Sequence, residues 1–184
     1  LASRIGAAQA RVAAMLVLTL RGTPTLYYGD ELGMHDAAIA PELVQDPWEK
    51  NVPGLGLGRD PERSPMLWDH SLHAGFSTTT PWLPLAPDYQ TVNVQTQHDD
   101  ARSILTLYRR LCALRRATPA LAVGTYTAVE AQGDVLAYMR SLADRRYLVV
   151  LNFGGQSQTF ASNEVRLQGR IALSTYLDRA EEVV

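Results

Sequence analysis

The sequence predicts an α/β segment followed by an all-β segment. Three observations support this prediction. An apolar helical pattern leads into a short β-forming stretch that ends in Gly-Asp-Glu, and a long segment rich in Pro and Gly follows it. Beyond Pro119 the apolar pattern changes to a period of two. With 184 residues, the chain has room for one full domain or two small ones.

The first element is a helix. Residues 7–20 (AAQARVAAMLVLTL) contain no Gly or Pro and are apolar on most of the helix circumference. A helix that is apolar nearly all round is typically buried and contacts neighbours on more than one side. Gly22 stands at the C-terminal cap position, and Pro24 prevents the helix from continuing.

The second element is a short strand. Residues 25–28 (TLYY) are β-formers between Pro24 and Gly29, which predicts a short buried strand. Asp30 and Glu31 follow at its carboxyl end. The order of helix, strand and acidic loop is that of a (β/α) barrel, whose chemistry lies at the C-terminal ends of its strands. Any parallel α/β sheet with an acidic loop has the same order, so both interpretations stand.

Residues 35–100 show no sustained periodicity and contain many prolines. A loop of this length is usually functional or disordered. Disorder is unexpected because the segment contains aromatic side chains that could serve as packing anchors. We therefore predict an ordered functional excursion from about residue 35 to 100. The aromatic anchors are Trp48, Trp68, Phe76, Trp82 and Tyr89.

The chain returns to helix at residues 102–117, where apolar side chains recur at steps of three and four. Its arginines take the other positions and crowd the C-terminal end, where positive charge favours the helix dipole. We interpret them as a solvated helix end. An anion site is the alternative.

Several short segments after Pro119 alternate or run apolar, with turn residues between them. This pattern predicts an antiparallel β-domain that begins near residues 118–122. The predicted strands are residues 124–129, 135–140, 147–153, 158–160 and 170–174.

The composition indicates an ordinary globular chain. The net charge is −2, from 17 basic and 19 acidic residues, which gives no reason to expect nucleic acid or an anionic membrane as partner. The apolar run 12–20 is too short to cross a bilayer. The lone cysteine, Cys112, excludes an internal disulfide and a Cys-based zinc cluster. The chain lacks an initiator Met and begins at the approach to a helix, so we expect it to be a fragment.

Charged residues that could bind a ligand lie in two places. Asp30 and Glu31 are adjacent, so in an extended chain they point to opposite faces and cannot form a catalytic pair with each other. Arg59 and Arg63 lie in GRDPERSPMLWD, where prolines fix the backbone. Fixed loops hold side chains in place for binding. From the residues alone, a surface salt-bridge cluster is the simpler interpretation. The four histidines show no metal-ligand spacing.

Four motifs indicate a family. They are RGTPTLYYGDELGM, GRDPERSPMLWD, HAGFSTTTPWLP and APDYQTVNVQTQ. In this order they resemble bacterial α-glucosidases and oligo-1,6-glucosidases of glycoside hydrolase family 13. The resemblance implies that residues 1–119 are the C-terminal part of a (β/α)₈ TIM barrel. It also implies that residues 120–184 are a β-sandwich-like domain, expected to be truncated. The implied reaction is retaining cleavage of an α-glucosidic bond through a covalent intermediate.

The resemblance also implies which residues act. The catalytic carboxylates of the family lie upstream of this chain, so none can be assigned here, and the fragment alone is expected to be inactive. Arg59 matches an arginine of the glucose-binding subsite, while Arg63 and Glu31 match positions near outer subsites. Because the catalytic partner carboxylate is absent, we expect Arg59 to be mobile or solvated.

The implied ligand is an α-glucoside oligosaccharide, without cofactor or metal, in a cytoplasmic protein that binds neither nucleic acid nor membrane. A fragment with uncovered strand edges is expected to self-associate. Two alternatives stay open. A trehalose synthase or other transglucosidase has the same strand motif, and an inactive heavy-subunit homologue of amino-acid transporters belongs to a different functional class.

Overall fold

Five α-helices and three strands make up the part of the chain that the computed structural model describes, residues 1–162, 168–179 and 182–183. The helices are α1 (Ala2–Thr19), α2 (Pro47–Asn51), α3 (Val94–His98), α4 (Ile104–Ala117) and α5 (Pro119–Ala122). The strands are β1 (Thr125–Val129), β2 (Val135–Leu142) and β3 (Arg145–Asn152). Single 3-10 turns occur at Asp30–Leu32, Pro41–Leu43, Pro61–Arg63 and Leu72–Gly75.

Two compact units divide these elements. The first comprises Leu1–Ala7 and Tyr27–Leu105, and the second comprises Ala8–Leu26 and Thr106–Val184. This division differs from the predicted domains 1–119 and 120–184, because most of α1 and α4 group with the sheet. The predicted domains stay a prediction.

The predicted helix 7–20 is confirmed as α1, which begins earlier, at Ala2. Gly6 interrupts it with non-helical angles (φ 80°, ψ 159°), a region that favours glycine. Beyond this kink Ala10, Ala14 and Leu18 are buried, as the apolar circumference predicted.

The prediction of a buried strand at residues 25–28 is wrong for this structure. The stretch forms no strand, and Leu26, Tyr27 and Tyr28 are exposed. A strand exists only when a neighbouring strand pairs with its backbone. Among the described residues, the only sheet has the order β1-β2-β3, and none of its strands pairs with this stretch.

Residues 35–100 fold around a small aliphatic core. Of the predicted aromatic anchors, only Tyr89 packs against this core, as a partly buried neighbour. Trp48, Trp68, Phe76 and Trp82 are all exposed. The four exposed rings lie at the surface, and the buried core is aliphatic. The buried core is Leu32, Leu67, Ala74, Ala86 and Leu105.

The amphipathic helix predicted at residues 102–117 is confirmed as α4. Leu107, Tyr108 and Leu111 form its buried stripe. The interpretation of its arginines as a solvated end is wrong for Arg115. The Arg115 guanidinium donates hydrogen bonds to the carbonyls of Leu18, Leu20 and Gly22 and so satisfies carbonyls at the end of α1.

Three of the five predicted strands are confirmed as the antiparallel sheet β1-β2-β3. Residues 158–160 form no strand, and Arg170 makes only an isolated bridge with Val183. Within residues 1–162, 168–179 and 182–183, neither stretch pairs with a ladder of the sheet. Since the described residues contain a single three-stranded sheet, the sandwich and the barrel both stay predictions.

A fully buried arginine joins the sheet to α1. The side chain of Arg140 has no exposed surface and donates to the carbonyls of Thr19, Gly124 and Thr125. Burial lowers the pKa of Arg140, and the charge of Arg115 lowers it further. The Thr19 hydroxyl also lies 2.6 Å from the Tyr138 hydroxyl.

We expect Arg140→Met to lower the free energy of unfolding strongly. The substitution leaves three carbonyl acceptors without their donor, and each buried unsatisfied group costs roughly 1–3 kcal/mol. The predicted loss is therefore at least about 3 kcal/mol, measured by urea denaturation of the chain. Arg116→Met on the exposed side of α4 is the control and should change stability by less than about 0.5 kcal/mol. Equal effects of the two substitutions would show that Arg140 is not a structural donor.

Candidate functional site

An open pocket of about 390 Å³ lies within the first unit. It combines aromatic side chains with one acidic and one basic residue, a composition typical of small-molecule sites. Its lining residues are Tyr28, Glu31, Arg63, Ser64, Pro65, Met66, Trp68, Phe76 and Trp82.

Three rings of this pocket face solvent. Trp68 is 50% exposed, Phe76 48% and Trp82 73%. Exposure of large aromatic groups to water is unfavourable in free energy, and in a concave site these groups offer flat apolar faces to a ligand. The pocket can therefore bind a molecule that presents apolar faces together with polar edges.

Tyr28 connects the pocket wall to the backbone. Its hydroxyl donates a hydrogen bond to the Ser64 carbonyl at 3.0 Å, and the centroid of its ring lies 4.8 Å from the ring centroid of Tyr27. Burial, followed by the neighbouring Tyr27, raises the pKa of Tyr28 to about 12. At neutral pH the phenol is thus protonated, and it serves as a donor rather than as a base.

Glu31 is held by the turn that follows Tyr28. Gly29 has φ 88°, and its amide donates to Glu31 Oε2 at 2.8 Å. A Cβ at Gly29 would lie 2.7 Å from Met34 Sδ, so the turn requires glycine here. Among the described residues, the structure gives Oε1 of Glu31 no hydrogen-bond donor. This oxygen can therefore accept a hydrogen bond from a ligand.

Arg59 and Arg63 share one buried carboxylate. Arg59 Nε donates to Asp46 Oδ2 at 2.9 Å, and Arg63 Nη1 lies 3.5 Å from the same oxygen. The Trp48 amide donates to Asp46 Oδ1. This amide, together with Arg59, holds the pKa of Asp46 below its usual range, against the opposing effect of burial.

Of the three predicted site residues, the structure brings Glu31 and Arg63 into one pocket. Arg59 is not among the lining residues and lies beside Arg63 on Asp46. Arg59 has an ion-pair partner, Asp46, that was not predicted, and half of its side chain is exposed, in line with the expectation that it is solvated.

Asp46 is a site residue that was not predicted from the sequence. The order Asp-Pro-Trp, with Asp at a helix N-cap and Pro at the first helical position, could have indicated a fixed carboxylate. No local signal could have shown that Arg59 and Arg63 reach it. In the described part of the chain, no group of His, Cys, Asp or Glu is arranged to hold a metal ion.

Comparison with known proteins identifies the family. Residues 1–124 match the family described as Alpha amylase, catalytic domain. The chain belongs to the alpha-amylase family, glycoside hydrolase family 13. This confirms the resemblance read from the four motifs.

The chain is similar to family members with different activities. It is 37% identical to a probable alpha-glucosidase of Rhizobium meliloti, over 83% of this chain and 28% of that protein. It is 36% identical to the amino acid transporter heavy chain SLC3A1 of Rattus norvegicus, over 95% of this chain and 25% of that protein. The structure of trehalulose synthase MutB from Pseudomonas mesoacidophila MX-45 matches with a TM-score of 0.71 and 35% identity. The match covers 79% of this chain and 30% of that protein.

The chain thus spans less than a third of each of these relatives. Within the described residues, no helix of this alpha-amylase family chain has the length and apolar character needed to cross a membrane.

The pKa of Asp46 predicts a pH-dependent contribution to the stability of the chain. Because this pKa is lower in the folded state, the stabilisation is present above the ordinary value of 3.8 and is lost as the pH falls through the folded value. We expect the chain and its Asp46→Asn variant to differ in Tm at about pH 7. The two should converge as the pH falls through the lowered pKa of Asp46.

Melting curves across this pH range test the expectation. Asp144→Asn, in the exposed turn between β2 and β3, is the control and should follow the unmodified chain at every pH. A Tm difference for Asp46→Asn that persists undiminished at the lowest pH would contradict the assignment.

Proposed function

We propose that this chain is the substrate-binding, C-terminal part of a retaining α-glucosidase that hydrolyses α-glucosidic bonds of short oligosaccharides. The main observation in its favour is the pocket in which Glu31 and Arg63 lie among exposed aromatic rings. Sugar rings have apolar faces and hydroxyl edges, so they suit aromatic walls with a few polar groups. The family and the alpha-glucosidase relative support the same proposal.

Each proposed site residue has a chemical role. Sugar hydroxyls are neutral donors and acceptors, and a guanidinium offers several planar donors to them. We assign Arg59 to the glucose-binding subsite, and Arg63 and Glu31 to outer subsites. The Oε1 atom of Glu31 would accept a hydrogen bond from one sugar hydroxyl, and the Arg63 guanidinium would donate a hydrogen bond to another.

The catalytic carboxylates are proposed to lie elsewhere in the whole protein. A retaining glycosidase needs two carboxyl groups about 5–5.5 Å apart around the scissile bond. In this chain Asp46 is buried between two arginines, and Asp30 and Glu31 are neighbours in one turn. None of these is placed to form such a pair. The proposal includes no metal and no cofactor.

In the whole protein we propose that residues 25–28 become a strand of a (β/α)₈ barrel, and that residues 120–184 belong to a β-sandwich domain. The exposure of Leu26, Tyr27 and Tyr28 supports the proposal that residues 25–28 become a barrel strand, which would cover these side chains. The same exposure supports self-association of the chain alone. We place the protein in the cytoplasm, with neither nucleic acid nor membrane as partner.

Two other functions each have an observation in their favour. The likeness to trehalulose synthase favours a transglucosidase, which transfers the glucosyl group to an acceptor other than water. The likeness to an amino acid transporter heavy chain favours a protein without catalysis. Product analysis after incubation of the whole protein with sucrose and with isomaltose separates the three functions. A hydrolase releases glucose, a transglucosidase forms isomers, and a protein of the third class forms no product.

We expect the chain alone not to hydrolyse p-nitrophenyl α-glucoside, because binding residues cannot replace the carboxylate pair. Release of nitrophenol is the measurement, with the whole protein as positive control. Turnover by the purified chain that disappears in an Asp30→Asn/Glu31→Gln variant would overturn the assignment of catalysis to another part of the protein.

In the whole protein, Arg59→Ala should impair catalysis far more than Arg116→Ala on α4. A charge-assisted hydrogen bond at a desolvated site is worth roughly 1.5–3 kcal/mol, and an unpaired partner adds to the loss. We therefore expect kcat/KM to fall about ten- to several-hundred-fold. Arg59→Lys should recover only part of the loss, because an ammonium lacks the planar fork.

Steady-state kinetics on the three variants, with Tm measured alongside, test this expectation. If Arg59→Ala leaves kcat/KM within about twofold of the unmodified enzyme, Arg59 is a loop-stabilising residue and does not bind substrate.

A further inference from the structure

Asp46 is the point on which both candidate binding arginines converge. Its Oδ2 atom accepts from Arg59 Nε and lies 3.5 Å from Arg63 Nη1. The Asp46 side chain is completely buried, whereas those of Arg59 and Arg63 are 51% and 44% exposed. The fixed group in this cluster is therefore the carboxylate, and the arginines extend outward from it.

Asp46 is itself held from two sides. Its Oδ1 atom accepts from the Trp48 amide and caps α2, and Pro47 fixes the backbone angle at the first helical position. On the other side, Asp60 Oδ2 accepts from the Gln45 amide at 2.6 Å and from the Asp46 amide at 2.7 Å. The position of the carboxylate is thus set before any ligand binds.

The contacts leave the outer faces of the arginines available. Of its guanidinium nitrogens, Arg59 uses only Nε toward Asp46, and the structure gives the two terminal nitrogens no partner among the described residues. Arg63 contacts the carboxylate with Nη1 and also lines the pocket. A guanidinium fixed at one edge and open at another is prepared to donate to a ligand, because its rotamer freedom has already been lost.

We propose that Asp46 is a positioning residue, which orients Arg59 and Arg63 for the sugar without touching it. The inference rests on the proposed function for its substrate. A purely structural role, as N-cap of α2, is the competing explanation. The two explanations differ in one respect: a positioning residue acts through the arginines, whereas a cap acts through the stability of the loop.

The central variant is Asp46→Asn in the whole protein. The amide oxygen still accepts from the Trp48 N–H, but an NH₂ group replaces the oxygen that faces the arginines. Asp46→Ser is the second variant, because serine is also a good N-cap and lacks the reach to Arg59. Both should lower kcat/KM for isomaltose at least about tenfold, mainly by raising KM, since lost ground-state binding appears in KM.

Glu49→Gln is the matched control. Glu49 lies in the same segment and accepts from the Gly54 amide at 2.8 Å and the Gly58 amide at 3.3 Å, but it contacts neither arginine. The same carboxylate-to-amide change should lower Tm and leave kcat/KM within about twofold. A tenfold loss here would mean that loop stability alone controls activity, and the proposal would be wrong.

A double-mutant cycle separates positioning from capping. In an Arg59→Ala/Arg63→Ala background, Asp46→Asn should change kcat/KM by less than about threefold, because the groups it positions are absent. A full tenfold loss in that background would overturn the proposal. So would unchanged kinetics of Asp46→Asn beside a large effect of Arg59→Ala, an outcome that leaves the proposed function standing.

A readout without substrate completes the test. In the unmodified protein the Nε–H of Arg59 should give a slowly exchanging NMR signal, and Asp46→Asn should make its exchange at least about tenfold faster. Unchanged exchange would overturn the proposal. If the unmodified protein shows no action on any α-glucoside, the proposed function fails, while this measurement still decides whether Asp46 holds the arginine.

Discussion

The first unit depends on carboxylates that satisfy backbone amides in place of regular secondary structure. Its long segment contains only short helices and turns, so most of its N–H groups lack ladder partners. Asp60 accepts from two consecutive amides, Glu49 accepts from two amides later in the segment, and Asp69 accepts from Ser71. These side-chain hydrogen bonds thereby order a segment that has little regular secondary structure.

In the second unit, arginine side chains satisfy backbone carbonyls. The last carbonyls of α1 have no intrahelical donors. Arg115 donates to three carbonyls between Leu18 and Gly22, and Arg140 donates to the carbonyl of Thr19. Positive charge at a helix C-terminus also complements the helix dipole. These two cations thus have an architectural role, whereas the sequence predicted a solvated helix end for the arginines of α4.

The candidate site combines both kinds of chemistry. Exposed aromatic rings form walls of the pocket. A buried carboxylate, Asp46, then fixes the arginine pair beside them. Carbohydrate recognition needs this combination, because a sugar has apolar faces and many neutral hydroxyls, and flexible donors lose entropy on binding it.

The sequence by itself determined the elements whose signals are local. The helical period predicted α1 and α4, and the period of two predicted β1, β2 and β3. The motifs pointed to Glu31, Arg59 and Arg63 as site residues, a role that remains proposed. Only the tertiary structure decided the non-local pairings. Residues 25–28 have strand propensity but no paired neighbour, and Arg59 takes Asp46 as its partner. The physical reason is that propensity belongs to each residue, whereas a ladder or an ion pair requires a second group that only the fold brings near.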